Sequence, residues 1–231
     1  MLLFQQLFEP ESSTYTYILG DSDSKEAVII DSVLETAERD WKIVNEMGLK
    51  LKYILETHIH ADHITGADIL KTRSTAKTGV NKAAQVQCAD MEIQDGDVIR
   101  FGPYQLRAIA TPGHTDGCMS YFGEGRVFTG DALLIRGCGR TDFQQGSSTR
   151  LYQSVTQKLF ALPEDTIVYP AHDYKGITSS MIGIEKKFNP RLGAGKTETE
   201  FSKIMAELGL ADPKKIQIAV PANMRCGQME K

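Results

Sequence analysis

The sequence predicts an α/β protein, two packed sheets covered by helices, and three observations carry that prediction. Short β-branched and aromatic runs bounded by Gly, Asp, Pro and Ser recur along the chain. Stretches of helical period separate several of them. His58, His114, Asp131 and His172 each stand at the C-terminal end of a strand-like run or in the turn after it, the kind of sheet edge where α/β folds place ligands. At 231 residues the chain fits one domain, 1–231, with a sizeable core.

Taken in order, residues 2–8, 15–19 and 27–30 read as strands, the last two joined through the turn-forming cluster Gly20-Asp21-Ser22-Asp23-Ser24. Between 34 and 47, Trp41, Val44 and Met47 share one helical stripe, and Gly48 is placed to end it. Residues 52–57 form the next strand. Beyond it Ile64, Ala67, Ile69 and Leu70 recur at helical spacing, which puts Asp62 at or near a helix N-terminus. A hairpin follows, 98–101 with 105–110, closed by Gly102-Pro103 and running into Thr111-Pro112-Gly113-His114. Strands 120–122 and 126–129 pair across Gly123-Glu124-Gly125, and the second ends at Gly130-Asp131. A helix at 151–162, a strand at 166–169 ending in Pro170-Ala171-His172, and helices at 177–188 and 199–208 complete the chain. There is no internal repeat, linker or low-complexity segment.

The stretch Thr57-His58-Ile59-His60-Ala61-Asp62-His63 concentrates three of the five histidines and a carboxylate in seven residues. A core or a solvated face does not need that much metal-binding capacity. In an extended chain, residues two apart point the same way, so His58 and His60 can face one ion together. The remaining histidines, His114 and His172, sit in turns after apolar runs, where strands converging on one edge would bring them to the same place.

Composition narrows the function. With 41% hydrophobic and 24% charged residues, a net charge of -4 and a pI near 5.8, the chain has no electrostatic footprint for nucleic acid or an anionic membrane. Small-molecule chemistry is the expectation. Cys88, Cys118, Cys138 and Cys226 form no Cys-x-x-Cys pair, which argues against a structural zinc or a disulfide framework and for a reducing compartment. Residues 1–10 have neither a basic n-region nor an Arg-rich amphipathic pattern, so the expected location is cytoplasmic.

Thr57-His-x-His-x-Asp-His63, Gly113-His114, Gly130-Asp131 and His172, in that order, resemble the metallo-β-lactamase superfamily. The resemblance implies a four-layer αββα sandwich with the metal site along one edge of the sheets. In hydrolytic members that look like this, His58, His60 and His114 would hold one metal, Asp62, His63 and His172 a second, and Asp131 would bridge them. The block from Gly130 to Gly146, GDALLIRGCGRTDFQQG, together with Asn189-Pro190-Arg191-Leu192 and the run from Pro221 to Gly227, is similar to the persulfide dioxygenases. Only Gly137-Cys138-Gly139-Arg140 is shared with glyoxalase II.

That closer resemblance implies an oxidoreductase of sulfide catabolism that oxidises glutathione persulfide with O2 to sulfite and glutathione. It implies one Fe(II) per chain, held by His58, His114 and Asp131, an arrangement of two imidazoles and one carboxylate that leaves positions free for substrate and O2. His60, Asp62, His63 and His172 would then orient those ligands through hydrogen bonds or move protons. Arg140, Arg191 and Tyr174 match positions the family uses around the thiol substrate, and forked guanidinium donors suit its carboxylates. Cys138, between two glycines, reads as a small buried residue rather than a sulfur relay. Members resembling this chain often form homodimers, and the sulfide-oxidising partner enzymes would be separate proteins. The rival reading is a binuclear zinc hydrolase of glutathione thiolesters; a non-catalytic metal-binding persulfide sensor ranks behind both, because every ligand is present.

Overall fold

The computed structural model describes residues 1–228. Two six-stranded sheets carry the architecture. The first runs β1 (Leu2–Glu9), β2 (Thr14–Asp21), β3 (Glu26–Ile30), β4 (Lys50–Leu55), β5 (Lys77–Asn81) and β6 (Met91–Ile93) in sequence order. Its first three strands are antiparallel, and its pairings from β3 to β6 are parallel. The second sheet orders β12 (Ser180–Met181), β11 (Ile167–Pro170), β10 (Arg126–Gly130), β9 (Met119–Gly123), β8 (Tyr104–Ala110) and β7 (Val98–Phe101).

Alternation along the strands decides what each face meets. On β2, Tyr17 and Leu19 point between the sheets, where they pack with Val28, Leu55, Phe101, Tyr121 and Phe128, whereas Ile18 belongs to the outer face. That outer face, with Ile29 and Ile54, is covered by α1 (Ala37–Glu46) and α2 (Ala67–Arg73) through Val44 and Leu70. The second sheet is covered by α3 (Ser148–Gln153), the π-helical turn Ser154–Leu159, α4 (Ile182–Phe188) and α5 (Glu198–Ala206), through Leu151, Val155, Ile182 and Phe201. Strands buried on both faces between helix layers make the four-layer αββα sandwich. A further helix, α6 (Ile216–Asn223), lies where no helix was expected.

Two expectations need correction. The helix after the histidine cluster begins at Ala67, so Asp62 is not at a helix N-terminus. Residues 62–66 are instead held by tertiary bonds, Leu34 N to Ile64 O and Gly66 N to Ser32 O. Cys88 and Cys226 are joined in a disulfide across 138 residues of sequence, against the reading of unpaired cysteines. Cys118 and Cys138 are free and buried. Among the described residues no helix is long and apolar enough to cross a membrane.

One buried charge in this scaffold makes a prediction. Asp40 on α1 is fully buried, and burial raises its pKa from 3.8 to about 6 although Arg39 pairs with it. Its folded pKa lies above its unfolded one, so the stability present below pH about 4 is lost as pH rises through about 6. Asp40→Asn is expected to stabilise the fold by about 2 kcal/mol at pH 7 and to change nothing near pH 4. Denaturant titrations at both pH values check it.

Candidate metal centre

Each ligand-type side chain comes from a strand end. His58 follows β4, His114 follows β8, Asp131 follows β10, and His172 follows β11. Two glycines make the approach feasible. Gly113 has φ +138, and a Cβ there would lie 2.2 Å from the Leu151 backbone nitrogen, so only glycine lets His114 turn inward. Gly130, at φ +54, leaves no room for a Cβ beside Thr57. The strand carrying Asp131 is thereby set against the histidine loop.

Two groups of donors result. His58, His114 and Asp131 offer ligand atoms within 4.8 Å of one another, and so do His60, Asp62 and His172. The expectation that His58 and His60 share one ion through their strand spacing is therefore replaced: their rings lie 4.0 Å apart but head adjacent groups. Asp131 faces both, with Oδ2 3.6 Å from His114 Nε2 and Oδ1 3.7 Å from His172 Nε2. Bonds of about 2.1 Å to one ion would separate neighbouring ligand atoms by about 3.0 to 3.4 Å. The residues fit a metal.

Hydrogen bonding fixes which nitrogen each imidazole presents. Thr57 Oγ1 donates its one proton to Asp31 Oδ2 at 2.8 Å, so toward His58 Nδ1, 3.0 Å away, it can only accept. His58 Nδ1 therefore carries the proton and Nε2 the lone pair. His114 Nδ1 lies 2.7 Å from the Arg140 carbonyl, which also can only accept. Both rings are locked with Nε2 available. Asp131 Oδ1 and His63 Nε2 are buried without a hydrogen-bond partner, which buried polar atoms rarely are unless something else satisfies them.

Electrostatics hold His58, His60 and Asp62 in the forms that bind a metal. Burial, with neighbouring His60, pushes His58 well below the usual histidine range, so its imidazole is neutral. His60 is lowered in the same way by burial and His63. Burial works to raise Asp62, but His172 and the hydrogen bond with His63 overcome it and hold the carboxyl well below its usual range. Burial opposes protonation of His172, yet Asp62 and Asp131 raise its pKa. Asp31 and Glu56 form a third buried group with His60, whose Nε2 lies 3.2 Å from Asp31 Oδ1 and 3.6 Å from Glu56 Oε2.

The first group opens on a cleft of about 450 Å3, whose walls include Arg140, Tyr174 and Arg191. Arg140 is occupied: its Nε and Nη2 donate to both oxygens of Asp142 and its Nη1 donates to the Ala211 carbonyl. Arg191 donates to the Cys138 carbonyl at 2.7 Å. Tyr174 is exposed and stacks on the His172 ring. Cys138 is buried, and burial pushes its thiol up to about 11 against the pull of Arg191, which suits a packing residue. Lys175 stands on the same wall and was passed over in the sequence. Asp31, Glu56 and Asn223 were passed over as well. Asp31 alone carried a signal, since it ends Val28-Ile29-Ile30 as the other site residues end their strands.

Comparison with known proteins places nearly the whole chain in a family. Residues 10–88 and 89–172 match the metallo-beta-lactamase superfamily. The chain is 52% identical over 228 residues to the proteins named persulfide dioxygenase ETHE1, mitochondrial, of Mus musculus and Homo sapiens, covering 98% of this chain and 89% of each relative. The crystal structure of ETHE1 from Myxococcus xanthus superposes with a TM-score of 0.95 at 50% identity, covering 98% of this chain and all of that one.

Proposed function

We propose a function on one premise: the chain belongs to the metallo-beta-lactamase superfamily and, within it, to the persulfide dioxygenases. It is an oxidoreductase that oxidises glutathione persulfide with O2, giving sulfite and glutathione. The observation that carries the reading is a pair of imidazoles and one carboxylate at the cleft, with both imidazole Nε2 atoms set free by bonds behind them. In this reading one Fe(II) is held by His58, His114 and Asp131. It supplies the redox chemistry with O2 that side chains lack.

The rest of the work falls to the chain. Thr57 and the Arg140 carbonyl hold the two rings in the tautomer that binds. In this reading His172, whose proton Asp62 and Asp131 favour, would give or take a proton during the reaction. The cleft walls shield the persulfide from water, with Arg191, Tyr174 and, after release from Asp142, Arg140 recognising its carboxylates. A homodimer and separate sulfide-oxidising enzymes belong to the same reading. So does a cytoplasmic location, the one expected from the sequence of residues 1–10.

The group His60, Asp62 and His172 favours a second reading, a binuclear zinc hydrolase of glutathione thiolesters. Oxygen uptake separates the two. Protein reconstituted with Fe(II) is expected to consume O2 in proportion to its iron and to release sulfite when given glutathione persulfide. Absence of uptake by a folded, iron-loaded sample would defeat the dioxygenase. His60→Ala is expected to leave iron bound, whereas a binuclear zinc enzyme would lose metal.

A further inference from the structure

We propose that the Cys88–Cys226 disulfide is a redox latch on the metal-binding loop. Closed, it keeps α6 against that loop; opened by a low-molecular-weight thiol, it lets the loop and its metal ligands loosen. The proposal holds whatever reaction the metal carries out.

The loop between β4 and α2 has little secondary structure of its own. Much of its support comes from Asn223, the last residue of α6, which is buried. Its Nδ2 donates to the carbonyls of His60 and His63, each at 2.9 Å, and its Oδ1 accepts from Thr65 N at 2.8 Å. One amide thus ties three backbone groups in and beside the metal motif from 158 to 163 residues away along the chain. An eight-residue helix containing Pro221 does not hold itself in place. Ala219 and Ala222 pack on Ile64, and Gly227 sits against the Thr65 carbonyl. The covalent hold is Cys226, three residues after Asn223, bonded to Cys88 in the connection between β5 and β6.

The two sulfurs differ in access. Cys226 is buried and Cys88 only partly so, so an incoming thiolate reaches Cys88 first. Attack there forms a mixed disulfide, and the electron pair of the broken bond leaves on the Cys226 sulfur, which takes up a proton. A second thiolate attacks the small-molecule sulfur and frees Cys88, and the two thiols depart as their own disulfide. Two thiols are oxidised and one protein disulfide reduced. Partly exposed disulfides facing a thiol pool are the labile and regulatory ones.

The test uses the full chain loaded with Fe(II) under anaerobic conditions. Alkylation without reductant, read by mass spectrometry, is expected to find Cys118 and Cys138 as thiols and Cys88 and Cys226 protected; glutathione then exposes the pair. Transfer of iron to a chelator is expected to quicken about tenfold after reduction with a phosphine, which does not compete for metal, and to slow again on reoxidation. Hydrogen exchange at residues 57–66 should rise and fall with it. Cys88→Ser should match the reduced protein with or without reductant, and Asn223→Ala should release iron quickly even with the bond closed. All four cysteines alkylated in untreated protein would overturn the proposal, as would iron release and loop exchange unchanged once the bond is open. Should Cys88→Ser fail to fold, the oxidised and reduced wild-type protein decides by itself.

Discussion

Asp131→Asn is expected to fold, to lose its metal and to lower kcat/KM by a factor on the order of 10^3 or more. Asp131 is the one carboxylate of its donor group, and its two oxygens face His114 and His172 at 3.6 and 3.7 Å. Asparagine keeps the shape but removes the charge that offsets a divalent cation, leaving the imidazoles of His58 and His114 to bind it. Oδ1 has no hydrogen-bond partner, so the fold gives up nothing there, and thermal stability without metal should stay the same or rise. Metal analysis beside a thermal melt checks both halves. Full metal occupancy in this variant would remove Asp131 from the ligand set.

Thr57→Val should lower metal affinity about 10 to 100-fold without touching a ligand. Valine fills the same space but cannot accept from His58 Nδ1 or donate to Asp31 Oδ2, so the ring loses the bond that fixes its tautomer. Asp31 keeps the Thr57 backbone N–H at 2.7 Å and His60 Nε2 at 3.2 Å on its other oxygen, and its second oxygen becomes a buried acceptor without a donor. A loss of about 1 to 3 kcal/mol in stability should accompany the weaker binding. Thr57→Ser restores the hydroxyl and should restore both. Competition with a calibrated chelator measures the affinity, and denaturant unfolding of the metal-free protein measures the stability. If valine binds metal as tightly as threonine, the tautomer is set by something other than this relay.

Most strands were legible because their signals are local. Runs such as Val28-Ile29-Ile30 and the Gly102-Pro103 turn declare themselves within a few residues. β5, Lys-Thr-Gly-Val-Asn, lacks such a run and went unread. Its place is set by its neighbours, since the Gly79 position that Leu55 and Ile93 crowd leaves no room for a side chain. The helix expected at 151–162 starts earlier, at Ser148, because Ser147 caps it by accepting from Arg150 N. Tertiary bonds overrode periodicity at 62–66, where Ser32 and Leu34 take the backbone groups that a helix would have used.

By itself the sequence determined the sandwich, the strand-end positions of His58, His114, Asp131 and His172, and the family. Those follow from residue type, short-range spacing and order along the chain. Only the tertiary structure decided which donors share a group, which imidazole nitrogen each presents, that Arg140 is paired with Asp142, and that Asn223 and the Cys88–Cys226 bond brace the metal loop. Each of those depends on atoms brought together across 1 to 163 residues, and their separation along the chain says nothing of their separation in space.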